Sequence, residues 1–327
     1  MCTALTYKTE NFYFGRTLDH DFSYGQTVTV TPRRYVLNFR DERAFQKHYA
    51  IIGMAYVADG YPLYFDAVNE KGLGVAALNF VGSAHYNGGI SGKTNISYFE
   101  FITWVLGQFS SVSALRSELS NTNITSVPFS KRLPVAKLHW LVADRENAIT
   151  VEAVSDGLRV YDNPVGVLTN DPPFDMQMFA LNDYMFLSPK APENRFSLQL
   201  DLKPNGRGSG TIGLPGDLSS RSRFVRATFA KMNSVSDFDE KGSVGQFFHI
   251  MDTVKQVRGC CDLCEGKYEI TQYTSCCNAD KGIYYYTTYQ NRGISAVDMH
   301  SENLDSETLI CYPLNFEQQI NCQNKKA

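Results

Sequence analysis

Alternation of apolar and polar residues along the first quarter of the chain predicts β-strands. Residues 2–7 and 12–16 have this pattern, and the polar segment 8–11 between them predicts a hairpin turn. Further strands are predicted at 27–31, 50–56, 63–68 and 74–80, with turn signals such as Asp59-Gly60-Tyr61-Pro62 between them.

Helical spacing follows, because Phe101, Trp104 and Val105 recur on one face of the segment 97–109. Other helices are predicted at 112–119, 176–184, 222–232 and 244–255, and other strands at 138–143, 149–153, 158–161, 165–168, 268–273, 283–289 and 294–299. Hairpins mixed with amphipathic helices indicate an α+β fold of two antiparallel sheets covered by helices. Propensity alone does not select this arrangement over other α+β folds.

The segment 188–216 is rich in proline, glycine and polar residues, and could link two domains. Because strands are predicted on both sides of it, we interpret it as an excursion from a single domain that spans 1–327. A length of 327 residues permits either one large domain or two ordinary ones.

Composition excludes several classes of protein. With 43% hydrophobic and 20% charged residues, the chain is neither disordered nor fibrous. A net charge of −3 offers no basic field for nucleic acid, and the pair Lys325-Lys326 is predicted to be a solvated tail. No apolar stretch approaches the roughly 20 residues that span a bilayer, and none near Met1 has the pattern of a signal peptide. We therefore expect a cytoplasmic enzyme whose eight cysteines are thiols.

Cys2 is the first candidate for chemistry. Removal of Met1 would place a free α-amine, of pKa about 7.7–8.0, beside a thiol of pKa about 8.5. Such an amine can take the thiol proton and later protonate a leaving amine. Considered alone, Cys2 fits a small buried strand residue better.

Hairpin geometry strengthens the chemical interpretation. If the turn centres on Thr9, Cys2 lies directly opposite Arg16, with Cβ atoms about 4.5–5.5 Å apart. A cation there would lower the thiol pKa, and Asp19 could orient the α-ammonium group. The alternative is an ordinary surface ion pair between Arg16 and Asp19. A turn shifted by one residue is expected to move Arg16 to the other face.

Motifs along nearly the whole chain resemble the choloylglycine hydrolase family of N-terminal-nucleophile hydrolases, and within it the bacterial bile salt hydrolases. They occur in the order of the family: Met1-Cys2-Thr3, Phe14-Gly15-Arg16-Thr17-Leu18-Asp19, Asn69-Glu70-Lys71-Gly72-Leu73-Gly74, Ala77-Leu78-Asn79-Phe80, Leu138-His139-Trp140, Val167-Leu168-Thr169-Asn170, Gly213-Leu214-Pro215-Gly216-Asp217, Ser222-Arg223-Phe224 and Lys281-Gly282-Ile283-Tyr284-Tyr285-Tyr286. The resemblance implies an αββα sandwich. It also implies that Cys2 is the nucleophile, with its own amine as base, that Arg16 stabilises the thiolate, and that Asp19 bonds the amine.

The resemblance implies three further site residues. Asn79 would help to form the oxyanion hole, Asn170 would orient the amine or the substrate, and Arg223 would balance charge near the thiolate. Taken singly, each also has a structural interpretation, such as a turn cap for Asn170. The chain departs from the family at Thr17, where asparagine is usual, which bears on local hydrogen bonding or substrate preference.

The implied reaction is hydrolysis of the amide bond of glycine- or taurine-conjugated bile salts, without a cofactor. A steroid acid needs an apolar pocket, and family analogy assigns it Leu18, Phe22, Tyr24, Ala58, Phe129 and Leu133. The resemblance also implies a homotetramer in which the excursion 188–216 reaches a neighbour. Penicillin V acylase, or an acylase of N-acyl homoserine lactones, is the alternative within the family. Asn79 favours bile salts, because the penicillin branch often has tyrosine there.

A non-enzymatic alternative comes from five cysteines within 260–277. Cys261 and Cys264 have the spacing of a zinc pair, and Cys276 or Cys277 could complete four ligands of a structural metal module. Free thiols on a loop and at the start of a strand are the favoured interpretation, because no second pair has this spacing. The six histidines do not have the spacing of a catalytic zinc site.

Overall fold

The computed structural model describes residues 1–324, and so the predicted Lys325-Lys326 tail lies outside the described residues. In chain order, the strands are β1 (Cys2–Lys8), β2 (Phe12–His20), β3 (Thr27–Thr31), β4 (Ile51–Ala58), β5 (Tyr61–Asn69), β6 (Gly74–Asn79), β7 (Thr94–Ser97), β8 (Thr122–Thr125), β9 (Leu138–Ala143), β10 (Ala148–Val154), β11 (Gly157–Asp162), β12 (Val167–Leu168), β13 (Ile270–Asn278), β14 (Ile283–Thr288), β15 (Ser295–Asp298) and β16 (Ile310–Pro313).

The α-helices are α1 (Phe101–Gln108), α2 (Val112–Leu119), α3 (Phe174–Ala180), α4 (Ser220–Asn233) and α5 (Glu240–Asp252), and short 3-10 helices cover Leu181–Tyr184, Ser209–Thr211 and Met299–Ser301. Side chains cap several of these helices. Ser111 accepts from the N–H of Ala114 at the start of α2, and Asp239 accepts from Gly242 at the start of α5. Such caps satisfy backbone donors that the first helical turn leaves free.

Two antiparallel sheets form the centre of the fold. One has the order β12-β1-β2-β13-β14-β15, and the other has the order β11-β10-β9-β6-β5-β4-β3-β16. Leu5 and Phe14 of the first sheet share a buried cluster with Val30 and Leu78 of the second. Helices α4 and α5 pack on the six-stranded sheet, and α1 packs on the eight-stranded sheet. The predicted αββα sandwich is therefore confirmed.

Several elements differ from the predictions. Strands β7 and β8 pair in parallel, and β16 pairs with β3 at a sheet edge, but none of the three was predicted. These strands are only four residues long, too short for an alternating pattern to be distinctive. Strand β13 extends to Asn278, beyond the predicted end at 273, because tertiary burial between β2 and β14 overrides its polar composition.

Segment 188–216 contains only the short 3-10 helix Ser209–Thr211 among its regular elements. Apolar side chains along it face outward: Phe196, Leu198, Leu200, Leu202 and Ile212 are all exposed. The single-domain organisation stays a prediction. Within residues 1–324, we find no helix with both the length and the apolar character required to span a bilayer.

Candidate active site

The first hairpin places Cys2 and Arg16 on one face of the six-stranded sheet, although the predicted register is wrong. Cys2 pairs with Leu18, and Arg16 pairs with Ala4, so the turn centres one residue beyond Thr9. A shift of the centre by one residue moves each partner by two, and side chains alternate with a period of two. Arg16 therefore stays on the face of Cys2, and the expected change of face does not occur.

Arg16 bridges the gap between the two sheets and is fully buried. Its Nη1 donates to the carbonyl of Phe65 at 3.0 Å and to that of Ala77, while Nε donates to the carbonyl of Thr17 at 3.1 Å. Burial lowers the pKa of the guanidinium, but attraction to Cys2 and nearby acidic groups outweighs burial and raises it. The cation is thus fixed close to the thiol.

A buried carboxylate lies beneath Arg16 and was not predicted. Asp66 accepts hydrogen bonds from Tyr273 at 2.6 Å, Tyr284 at 2.7 Å and Ser275 at 2.8 Å. Burial raises the pKa of Asp66, and Arg16 only partly offsets this effect. The available sequence signal was an acidic residue inside an otherwise apolar strand, β5.

Asn170 connects the nitrogen of Cys2 to two other predicted site residues. Its Oδ1 accepts from the Cys2 N–H at 2.9 Å and from Arg223 Nη2 at 2.7 Å. Its Nδ2 donates to the backbone carbonyl of Asn79 at 2.8 Å. Strand β12 brings Asn170 to this position because β12 pairs with β1. The structure thus brings Cys2, Asn79, Asn170 and Arg223 together.

Arg223 on α4 is buried against the start of β1. It donates to the carbonyl of Cys2, to Thr3 Oγ1 at 2.7 Å and to the carbonyl of Leu218 at 3.0 Å. Burial lowers the pKa of Arg223, and attraction to Asp19 and Cys2 does not fully restore it. A second cation is therefore held on the backbone of the candidate nucleophile.

The carboxylate of Asp19 is fully buried and accepts from Thr271 at 2.6 Å and from Thr17 at 3.3 Å. Burial raises its pKa, and neighbouring cations lower it only in part. The hydroxyl of Thr17 thus bonds Asp19 directly. With Met1 attached, its backbone pairs with that of Asp19, and a bond from Asp19 to the α-amine of Cys2 stays a prediction.

A mainly apolar cavity of about 230 Å³ opens beside Cys2. Four of the six predicted pocket residues line it: Leu18, Tyr24, Phe129 and Leu133. The lining does not include Phe22 or Ala58. The Phe22 ring is half exposed and packs on His20 with ring centres 4.2 Å apart, and Ala58 lies at the far end of β4. The positions of Phe22 and Ala58 depend on the geometry of a loop and of a strand end, which analogy to the family does not predict.

Other residues line the cavity but were not predicted from the sequence: Tyr56, Leu63, Phe65, Tyr98, Phe99 and Ile102. Leu63 and Phe65 lie two positions apart on β5, and so they face the same side of the strand. This spacing could have predicted both of them as lining residues. Phe99 and Phe129 meet edge to face with centres 5.3 Å apart, and Arg40 lies 5.7 Å from each ring. An aromatic wall therefore bounds the cavity on this side, and Arg40 lies against the two rings without lining the cavity.

Asn79 ends β6 at the cavity wall. Its backbone carbonyl accepts from Asn170, and within residues 1–324 its side-chain amide makes no hydrogen bond. A free amide donor beside a thiol is the arrangement that an oxyanion hole requires.

The five cysteines of 260–277 are separated by the fold. Cys260 and Cys264 are exposed on a loop, whereas Cys276 and Cys277 are buried near the end of β13 and not at its start as predicted. Burial raises the pKa of both buried thiols well above the ordinary value. In the described part of the chain, no three His, Cys, Asp or Glu side chains lie close enough to hold a metal ion.

Asp217 stabilises the start of α4, the helix that carries Arg223. Hydrogen bonds from Ser219 and Ser222 lower its pKa to about 2, from 3.8. The ionised form therefore stabilises the folded chain fully above about pH 4, and the contribution disappears as the pH falls through 2. Because Asp217 is exposed to screening by solvent, we expect Asp217→Asn to reduce the unfolding free energy at pH 7 by only about 0.5–1 kcal/mol.

Urea unfolding of this variant and the wild type at pH 7 and pH 3 measures the effect. The difference in unfolding free energy should shrink at pH 3. An equal difference at both pH values would show that the carboxylate charge is not responsible.

The arrangement by itself defines a class of enzyme. A cysteine begins the first strand of an αββα sandwich, its nitrogen is bonded, two buried arginines flank it, and an apolar cavity opens beside it. These are the features of an N-terminal-nucleophile hydrolase that acts through sulfur.

Comparison with known proteins gives the family. Residues 2–312 match the family described as linear amide C–N hydrolases, choloylglycine hydrolase family. The chain therefore belongs to the choloylglycine hydrolase family. It is 52% identical over 324 residues to a bile salt hydrolase/transferase of Lactiplantibacillus plantarum, covering 99% of this chain and 100% of that relative. It is 40% identical to a bile salt hydrolase/transferase of Clostridium perfringens, with 99% and 100% covered.

Solved structures agree with this assignment. A C2A mutant of the conjugated bile acid hydrolase from Clostridium perfringens superposes with a TM-score of 0.92 at 39% identity, covering 99% of this chain and 100% of that chain. A penicillin V acylase from Agrobacterium tumefaciens has a TM-score of 0.73 at 21% identity, covering 97% and 94%, and shows the shared fold only.

Proposed function

We propose that this enzyme hydrolyses the amide bond of glycine- or taurine-conjugated bile salts through Cys2, after removal of Met1. The observation that carries the proposal is a cysteine thiol beside an apolar cavity, with its own nitrogen held at 2.9 Å by Asn170. Similarity over the full length to relatives named bile salt hydrolase/transferase supports the choice of substrate.

The first half of the reaction forms a thioester. The α-amine of Cys2 takes the thiol proton, and the thiolate attacks the amide carbonyl carbon. Arg16 stabilises the thiolate, and the free amide of Asn79 donates to the oxyanion that develops on the carbonyl oxygen. As the tetrahedral intermediate collapses, the C–N bond breaks and the amino group of glycine or taurine takes the proton from the α-ammonium group.

The second half releases the bile acid. The α-amine removes a proton from water, the resulting hydroxide attacks the thioester carbonyl, and the C–S bond breaks. The cysteine sulfur then recovers the proton. Asn170 keeps the amine oriented during both proton transfers, and Arg223 and Asp19 balance the buried charge around it. The amine thus serves as base and acid in turn, so no histidine is needed.

Substrate comparison tests the proposal. The released amine should be measured for glycocholate and taurocholate, and the released acyl product for penicillin V, at equal concentrations of purified enzyme. We expect at least one conjugated bile salt to have a kcat/KM at least about 10-fold above that of penicillin V, because a rigid steroid matches an aromatic and aliphatic wall better. Preferential cleavage of penicillin V would overturn the substrate assignment and favour the acylase alternative.

We further propose a cytoplasmic homotetramer in which segment 188–216 contacts a neighbouring copy. Its row of exposed apolar side chains, which includes Phe196, Leu198 and Ile212, supports this proposal, because such surface is usually buried by a partner. Light scattering of the purified enzyme measures the assembly, and a monomer at micromolar concentration would exclude the tetramer.

A further inference from the structure

A fully buried histidine–glutamate pair adjoins the candidate active site and has no role in the proposed reaction. His139 on β9 and Glu152 on β10 are neighbours across the sheet, with Nδ1 and Oε1 3.1 Å apart. The other ring nitrogen, Nε2, lies 2.9 Å from the carbonyl of Thr169. Phe80, the residue after Asn79, stacks on the imidazole ring at 4.3 Å and an interplanar angle of 7°.

Hydrogen bonding fixes where the protons of this pair lie. The carbonyl of Thr169 can only accept, so His139 Nε2 must carry a hydrogen. The contact between Nδ1 and Oε1 then requires one more proton, held by His139 or by Glu152. The backbone N–H of Phe174 also donates to Oε1, at 3.0 Å. The imidazole is therefore locked in a state that donates through Nε2.

If this pair had only a structural role, its burial would cost folding free energy. Both side chains are fully buried, and within residues 1–324 Glu152 Oε2 has no hydrogen-bond partner. Replacement of a buried polar pair by apolar residues is often neutral or stabilising, so packing alone does not account for it. Among the hydrogen bonds of the pair within residues 1–324, the one to the Thr169 carbonyl leads toward the reacting atoms.

Thr169 is joined directly to Asn170, whose Oδ1 holds the Cys2 nitrogen. The opposite side of this dipeptide is also held: Gln177 donates to the Asn170 carbonyl at 3.1 Å, and the Asn170 N–H donates to Ser220 Oγ at 2.8 Å. The peptide that carries Asn170 is thus clamped from two sides, and His139 supplies the clamp from the eight-stranded sheet.

We propose that His139, locked by Glu152, is a positioning residue that sets the orientation of Asn170 and, through it, of the Cys2 amine. The inference rests on the proposed function, because it assigns His139 a purpose in the same reaction. A misplacement of about 1 Å in a reacting group can reduce turnover about 100-fold. Loss of the Nε2 donor should therefore lower kcat and leave the apolar cavity, and so KM, nearly unchanged.

Two amide variants separate positioning from packing. In His139→Gln, the side-chain amide reaches the place of Nε2 and can still donate to the Thr169 carbonyl. In His139→Asn, the shorter amide reaches only the place of Nδ1 and loses that carbonyl. We expect H139N to lower kcat for glycocholate about 10- to 100-fold with KM within about 3-fold, and H139Q to retain kcat within about 3-fold of the wild type.

His48 offers a matched control, because this buried ring also contacts two backbone carbonyls, of Tyr49 and Tyr35, but does not line the cavity beside Cys2. His48→Asn should leave kcat per folded molecule unchanged. Thermal unfolding of every variant corrects for any loss of folded protein. Equal kcat losses in H139N and H139Q, or an unchanged kcat in folded H139N, would overturn the proposal.

A readout without bile salts separates this inference from the proposed function. The rate of Cys2 alkylation by iodoacetamide should be followed against pH in the wild type and both variants. If Asn170 is misplaced, the pH profile of H139N should shift while that of H139Q should not. Failure of the wild type to cleave both glycocholate and taurocholate would overturn the proposed function alone, whereas identical alkylation profiles in all three proteins would overturn the positioning role alone.

Discussion

Substitution of Cys2 by alanine is expected to reduce hydrolysis of conjugated bile salts to the background rate, a loss of about 10⁶-fold. The reason is that sulfur forms the covalent bond to the acyl group, and alanine has no atom that can replace it. The fold should survive, because removal of one small buried group costs about 1 kcal/mol. Amine release from glycocholate measures turnover, and thermal unfolding checks the fold.

A matched control is Cys276→Ala, which removes another fully buried thiol. Burial raises the pKa of Cys276 well above the ordinary value, so it stays a protonated thiol, and we expect this variant to retain activity. Activity in Cys2→Ala above background would contradict a covalent role for Cys2.

The same mechanism requires that Met1 is absent from the active enzyme. Intact mass should show the loss of one methionine, and iodoacetamide labelling should map to the new first residue. A chain with a lysine inserted between Met1 and Cys2 retains its methionine and should be inactive, because the cysteine nitrogen is then part of a peptide bond. Normal turnover by such a chain would contradict the use of the α-amine as base.

Asn79→Ala should lower kcat about 10²–10³-fold, which corresponds to about 2.7–4 kcal/mol in the barrier. Its side-chain amide makes no hydrogen bond within the described residues, so truncation leaves no buried partner unpaired. The bond from Asn170 goes to the backbone carbonyl of Asn79, which alanine retains. We therefore expect the unfolding free energy to stay within about 0.5 kcal/mol of the wild type.

Asn79→Asp is the matched variant, because it keeps the shape of the side chain and replaces the donor by a carboxylate. It should be at least as slow as Asn79→Ala, since a negative charge would oppose the developing oxyanion. The values of kcat and KM for glycocholate measure both effects. A loss confined to KM would show that Asn79 binds the ground state and does not stabilise the oxyanion.

Local sequence was sufficient for the parts of the site that lie on one hairpin. Cys2 and Arg16 lie on two strands joined by a short turn, so the strand period set the face they share even though the predicted centre of the turn was wrong by one residue. Asp19, three positions after Arg16, lies on the other face of β2, where it bonds Thr17. The helix that carries Arg223 and the strand that ends at Asn79 were also predicted.

Contacts between residues far apart in the chain could not be predicted from local sequence. The bond between Cys2 and Asn170 spans 168 positions, and that between Arg223 and Asn170 spans 53. Resemblance to a family identified these residues as site residues. Their spacing in the sequence did not predict that they lie close together. Buried Asp66 and the pair His139 and Glu152 were assigned no role, because their partners lie on other strands.

By itself, the sequence determined the kinds of element, because apolar periodicity and local pairing are properties of short segments. Motifs that resemble a known family, and not periodicity, selected the αββα arrangement and the nucleophile. Only the tertiary structure decided the order of the strands in each sheet, the hydrogen bonds that meet at Asn170 and the residues that line the cavity. These features depend on which distant segments pack together in the core. Burial of apolar surface selects among those pairings, and it does not depend on separation along the chain.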